Sequence, residues 1–154
     1  MRAPTSSSRC VIQSCARFLL AFRPQPFNPA QDLVARSGVV LFVYPRANTP
    51  GCTKQACGFR DQHAAIAAAG YAVYGLSNDN PTPQANWRKK HALPFNLLCD
   101  PQRTALAALG MARGGKTLRS HIVIAKGGKI EQLAIGVGPL DSVSQATNAA
   151  TSAE

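Results

Sequence analysis

The sequence predicts an α/β fold, a mixed central sheet flanked by helices, on three observations. A short β-branched and aromatic run, Gly38–Tyr44, and a second strand-like run, Tyr71–Ser77, bracket an alanine-rich stretch long enough for a helix. Two alternating runs near the C-terminus, Ser120–Lys126 and Lys129–Gly136, are joined by Gly127-Gly128, a hairpin signal. The chain has 154 residues, 45% of them apolar, which suits one domain with a core of its own.

Each element has its own local reason. Gly38 and Pro45 bound the first run, which reads as a buried strand. Thr49-Pro50-Gly51 is a helix start: Thr49 can cap, and Pro50 suits the first helical position. That helix runs through the alanine-rich 56–69 and stops at Gly70. With Tyr71–Ser77 it forms a βαβ unit, so the two strands should be parallel. Residues 78–83 read as a loop, Gln84–Ala92 as a helix ending before Pro94, and Phe95–Cys99 as a short strand. Asp100-Pro101 is a second cap-plus-proline start, leading a helix to Gly110. The two alternating runs follow, and residues 140–149 close with a weak helix. A βαβ unit, a helical insertion and a ββα unit make the thioredoxin-like arrangement.

Charge divides the chain. There are 17 Lys and Arg against 7 Asp and Glu, a net +10, yet only 16% of residues are charged. The surplus therefore reflects scarce acids rather than dense bases. Four of the bases, Arg2, Arg9, Arg17 and Arg23, fall in residues 1–31, which hold no acid. The other 13 bases and 7 acids leave +6 on residues 32–154, the expected folded domain. Read as a helix, residues 10–22 would put Gln13 and Arg17 on one face, in line with Arg9 just before them. That acid-poor, amphipathic profile fits an organelle transit peptide, and an unstructured tail fits the same composition. A secretory signal fits poorly, because the apolar run Phe18–Phe22 is short and has Arg on both sides. The run Val39–Tyr44 is the longest apolar one and is too short to span a membrane. Aromatics at 6% argue against a stacking platform for single-stranded nucleic acid. The basic balance permits a nucleic-acid partner without demonstrating one.

Two motifs compete for a function. Residues 110–117 match the phosphate-loop pattern G-x-x-x-x-G-K-[ST]. That loop needs a strand before it and a helix after it. Here the order is reversed, and a glycine-rich connection is the better reading. The second motif runs from Pro45 through Thr49 and Cys52 to Cys57. Cys52 falls in the first turn of the helix that Thr49 starts, where free amides and the positive dipole end favour a thiolate. Arg46 and Lys54 add positive charge, and no acid lies between Asp32 and Asp61. The Thr49 hydroxyl is close enough in sequence to hydrogen-bond the sulfur or an oxygen on it.

Cys57 lies five residues after Cys52, about 140° around an α-helix and about 7.5 Å along it. Their Cα atoms would stand roughly 8.6 Å apart. A disulfide spans at most about 7 Å between Cα atoms. If the two form a redox pair, Cys52 acts alone first and the helix unwinds in a second step.

Pro45-x-x-x-Thr49-x-x-Cys52 resembles the peroxiredoxin active-site signature, and Tyr44 to Asp61 resembles the peroxiredoxin Q / bacterioferritin comigratory protein subfamily, in a fungal-type thiol peroxidase. Further stretches follow in register: Leu93-Pro94-Phe95 to Asp100, Arg119-Ser120-His121 with Val123-Ile124, and Gly128-Lys129-Ile130. The similarity covers about residues 32–147. It implies reduction of hydrogen peroxide and organic hydroperoxides without metal or prosthetic group. It makes Cys52 the peroxidatic cysteine and Cys57 the resolving one. Thr49 and Arg119 would orient the peroxide, and Pro45 would shield the sulfenic acid. Thioredoxin or a similar dithiol would be the reductant. Monomer or weak homodimer is the implied state. The implied compartment is nucleus or cytoplasm, with the mitochondrion suggested by the N-terminal extension. Residues 1–31 do not match the β-hairpin that family members carry upstream of Val39. That hairpin is expected to be missing or atypical, exposing a sheet edge and one core face. A catalytically impaired redox-sensing or interaction protein of the same fold is therefore the alternative function.

The remaining candidates have plainer readings. Cys99 reads as a packing residue. Cys10 and Cys15 repeat the five-residue offset by coincidence. A zinc site from Cys52, Cys57 and His63 lacks a second clustered ligand pair. His63, His91 and His121 are scattered and read as surface residues. Trp87 reads as a core anchor, and Arg88-Lys89-Lys90 as a solvated helix face.

Overall fold

The computed structural model describes residues 37–152. The expectations for residues 1–31, for Cys10 and Cys15 and for an upstream hairpin lie outside the described residues. Strand β1 (Gly38–Val43) is followed by helix α1 (Pro50–Ala68), β2 (Tyr71–Ser77), α2 (Pro81–Lys90), β3 (Asn96–Cys99) and α3 (Thr104–Ala108). A small hairpin, β4 (Ala112–Arg113) and β5 (Lys116–Thr117), then leads to β6 (Ser120–Ile124), β7 (Ile130–Ile135) and α4 (Pro139–Ser152). The main sheet runs β3-β2-β1-β6-β7. Strands β1, β2 and β3 pair in parallel, and β6 and β7 add antiparallel. This is the mixed, thioredoxin-like sheet the sequence predicts.

Every residue of β1 is buried. The strand lies mid-sheet with helices on both sides, so its apolar run is continuous rather than alternating. Val40 and Phe42 face one core with α1, α2 and α4; Val39, Leu41 and Val43 face a second with Leu98, Leu106 and Met111. Aromatic rings tie the first core together. Phe42 stacks on Phe59 at 4.6 Å and meets Phe95 edge-on at 5.3 Å. Tyr44 lies 5.0 Å from Trp87, which is buried as expected and donates through Nε1 to Thr53 Oγ1 at 3.3 Å. Ile130, Leu133 and Ile135 of edge strand β7 remain exposed.

Several boundaries differ from expectation, each for a local reason. α2 starts at Pro81 rather than Gln84, because proline at the first helical position needs no amide partner. The helix expected from Asp100 to Gly110 shrinks to five residues. Residue Arg103 takes φ 55°, outside the helical region, so the chain makes a turn before α3 starts. Asp100 still acts as an acceptor there, its carboxylate receiving the amides of Thr104 (3.1 Å) and Leu106 (2.9 Å). The β6–β7 link is wider than two glycines: the Ala125 amide donates to the Lys129 carbonyl, and the strands are irregular at Val123/Ile124. The closing helix is longer, Pro139–Ser152. The phosphate-loop look-alike is itself a hairpin. Gly114 (φ 58°) and Gly115 (φ 71°) fill the two left-handed positions of a tight turn between β4 and β5.

α1 and α4 pack so closely at Gly58 that a Cβ there would sit 2.7 Å from Val143 Cγ2. Valine is stiff at χ1 and cannot swing aside. Gly58→Ala is expected to destabilise the protein by about 1–3 kcal/mol through overpacking, read as a lower urea midpoint. In a Val143→Ala background the same change should turn neutral or stabilising, since alanine is the better helix former by about 1 kcal/mol. Equal effects in both backgrounds would contradict this packing.

Candidate active site

The site forms where the chain leaves β1 and enters α1. Thr49 occupies the N-cap with extended backbone (φ −100°, ψ 156°), and Pro50 takes the first helical position. Cys52 therefore lies in the first turn, as predicted, and is 1% exposed. Thr49 caps in position only. Its hydroxyl makes no cap hydrogen bond and donates to the Arg46 carbonyl at 2.8 Å. The expected contact to the sulfur is not the one its proton makes. The first turn holds no acidic side chain, so its positive end faces Cys52 uncompensated.

The loop before the helix is held from below. Asn48 adopts φ 61°, a conformation asparagine tolerates, and accepts from Lys90 Nζ at 3.2 Å. The Asp79 carboxylate accepts from the Ala47 amide and the Ser77 hydroxyl, both at 2.7 Å. Tyr44 donates to Gln84, which in turn donates to Ser77 Oγ (3.1 Å) and the Leu98 carbonyl (2.9 Å). Burial raises the Tyr44 phenol well above its ordinary value, so it remains a proton donor. Pro45 is half-buried at the head of this loop.

Arg119 is the residue just before β6, the antiparallel neighbour of β1. Its carbonyl accepts the amides of Gly136 (2.8 Å) and Val137 (3.0 Å), which ties its backbone to the residues just after β7. Its Nη1 lies 3.6 Å from Cys52 Sγ and 3.0 Å from Gln55 Oε1. Gly51 has no side chain where one would crowd this guanidinium: a Cβ there would be 3.0 Å from Arg119 Nη2. Gln55 continues inward, donating to Ser142 Oγ at 3.0 Å, and Ser142 Oγ lies 3.1 Å from His121 Nδ1. Gln55, Ser142 and His121 are all fully buried.

The structure thus brings Cys52 and Arg119 together and places Thr49 one turn before Cys52. Cys57 points elsewhere, its Sγ 3.9 Å from His91 Nδ1. Cys52 and Cys57 are both free thiols within a continuous helix. Gln55 and Ser142 carry no motif of their own; only the three-residue offset from Cys52 hinted that Gln55 shares its helix face. His121 and His91 correct the surface reading of the histidines: His121 pairs with Phe42 in mid-sheet, and His91 is half-buried against α1. Cys99 is buried as expected, and burial pushes its thiol up. Among the described residues, no three His, Cys, Asp or Glu side chains group as a metal site.

Fold and site together define a thioredoxin-like domain that holds one cysteine at a helix mouth against an arginine from the neighbouring strand. The chain belongs to the AhpC/TSA family, whose model matches residues 29–133. Peroxiredoxin bcp1 of Schizosaccharomyces pombe is 43% identical over 127 residues, taking in 80% of this chain and 65% of that protein. A chloroplastic peroxiredoxin Q of Populus jackii is 50% identical over 62 residues, 40% of this chain and 29% of that one. The solved structure of peroxidoxin BcpB from Mycobacterium tuberculosis matches with TM-score 0.75 and 31% identity, covering 80% of this chain and 84% of that one. Xanthomonas campestris bacterioferritin comigratory protein shares the fold at TM-score 0.73 and 21% identity, over 77% of this chain and 81% of that one. The subfamily resemblance read from the sequence thus recurs in the relatives found. The chain spans just under two thirds of the first curated relatives, 65% and 64% of their length.

Burial lowers the imidazole of His121 below its ordinary value of 6.5, so the folded protein resists a proton that the unfolded chain accepts. Stability is expected to fall as pH drops below about 6.5 and to level off below the folded value. Urea midpoints from about pH 7.5 to about pH 5 should show this loss. His121→Gln should flatten the profile; an unchanged slope in the variant would assign the loss to other groups.

Proposed function

We propose that this chain is a thiol peroxidase that reduces hydrogen peroxide and organic hydroperoxides through Cys52. The observation that carries the reading is the Arg119 guanidinium 3.6 Å from Cys52 Sγ, at a helix mouth free of acidic side chains. Both features stabilise negative charge on sulfur and on the oxygen it attacks. The Cys52 thiolate attacks one peroxide oxygen, the O–O bond breaks, and water or an alcohol leaves after taking a proton. Cys52 becomes a sulfenic acid. Thr49 and Arg119 orient the peroxide, and Pro45 keeps bulk water from the product. No metal or prosthetic group is required by this chemistry.

Cys57 then condenses with the sulfenic acid to a disulfide and one water. Thioredoxin or a similar dithiol restores both thiols by exchange. The intact helix keeps the pair about 8.6 Å apart at Cα, so the second step requires the first turns of α1 to open. Membership of the AhpC/TSA family and the subfamily of its relatives support this cycle.

Peroxide consumption with thioredoxin and its reductase tests the reading. Cys52→Ser should abolish consumption, and full activity in that variant would refute the assignment. Arg119→Met should lower the second-order rate by about 100-fold or more. Cys57→Ser should keep one turnover of peroxide and lose most thioredoxin-driven cycling. Amide exchange over residues 52–60 should be faster in the oxidised protein, and equal protection in both forms would sink the unwinding step.

A further inference from the structure

His91 is half-buried and held both by its own helix end and by α1. α2 ends in a paired-bond cap: the Leu93 amide donates to the Arg88 carbonyl at 3.0 Å, and the Ala92 amide to the Lys89 carbonyl at 3.3 Å. Ala92 takes the left-handed position of that cap, φ 50°, where glycine is usual. The backbone of His91 is thereby fixed at the helix end. Its carbonyl is also taken, by Arg60 Nη1 at 3.0 Å, across from α1. Its ring lies 6.4 Å from Trp87, edge to face. The nitrogen that this arrangement aims at α1 is Nδ1, and it meets Cys57 Sγ at 3.9 Å.

We propose that His91 is the proton acceptor for Cys57 in the disulfide-forming step. The inference rests on Cys57 being the resolving cysteine. The Cys57 thiol gives its proton to Nδ1, and the sulfur lone pair forms the S–S bond with Cys52. The S–O bond of the sulfenic acid breaks with its electron pair on oxygen. The imidazolium returns the proton to the departing hydroxide, directly or through solvent. The products are the disulfide and one water, and peroxide has already supplied the oxidising equivalents. His91 sits in a basic setting. Arg60 faces it from α1 and is itself paired with Asp61 at 3.0 Å, and Arg88, Lys89 and Lys90 precede it in the last turn of α2. The carbonyl end of α2 favours the transient imidazolium. Because the cap anchors the histidine on α2, it can deprotonate Cys57 before α1 opens and stay behind when the thiolate moves.

The test separates the two chemical steps in the full-length protein. After one equivalent of hydrogen peroxide, acid-quenched samples are followed by mass spectrometry for Cys52 sulfenic acid and for the Cys52–Cys57 disulfide. In His91→Asn, sulfenic acid should form at the wild-type rate within about twofold, while disulfide formation slows about 10-fold or more near pH 7. The deficit should shrink as the pH is raised, because hydroxide can then take the thiol proton in place of the imidazole. In His91→Ala, added imidazole should recover part of the lost rate. A wild-type rate in His91→Asn overturns the proposal. So does a uniform deficit at every pH, which would mark a structural role. Absence of the Cys52–Cys57 disulfide in the wild type would instead overturn the assignment of Cys57, and the His91 proposal with it.

Discussion

The contact between the Arg119 guanidinium and the Cys52 sulfur depends on two elements that meet only because of sheet register. Ser120 pairs with Val43 across the antiparallel β1–β6 ladder. Arg119 is therefore level with Tyr44, where the chain turns off the sheet toward the helix mouth. A shift of one residue would send the arginine to the opposite face. The same register lays His121 beside Phe42 on the face covered by α4. The buried line from Arg119 through Gln55 and Ser142 to His121 thus belongs to one packing arrangement. A guanidinium that reaches toward a sulfur loses hydration, and Gln55 Oε1 replaces some of what it loses.

A second constraint acts in the opposite sense. α1 must be continuous to present its free amides to Cys52, and its continuity holds Cys57 away from Cys52. Cohesion of the helix comes from its packing on Phe42 and Val143 rather than from its first turns. Cys52 sits where the helix is least anchored by its own hydrogen bonds, since the first amides of any helix lack intrahelical partners. Cys57 Sγ meets His91 at the capped end of α2, so the thiol that must move and the group it leaves behind are on different helices.

Much of the fold was legible because it is written in local chemistry. β2 was found to the residue, and β1 within one: β1 is a β-branched run that ends at Pro45, and β2 starts just after the helix stop at Gly70. Errors gathered where local and tertiary preferences compete. The proline pair at 81 and 83 suggested a loop but serves as a helix start. Asp100-Pro101 carries a full start signal, yet the chain turns once more before α3 begins, because Leu106 and Met111 must reach the second core. In the site, Thr49, Cys52 and Cys57 stood out by spacing along one helix. Arg119 stood out only through its resemblance to a strand in a known family. Gln55, Ser142, His121 and His91 had no signal of their own, since their roles depend on partners 21 to 87 positions away in the chain.

Sequence alone determined the order of elements, the helix mouth at Cys52 and the five-residue offset that forbids a disulfide in an unbroken helix. Those properties follow from caps, turn residues and helix geometry, which act over a few neighbours. Tertiary structure decided what faces each sulfur. Arg119 reaches Cys52 because β6 pairs with β1, and His91 reaches Cys57 because the cap of α2 ends against α1. The +6 on residues 32–154 could not say where any one charge goes, because that depends on register and packing between distant segments.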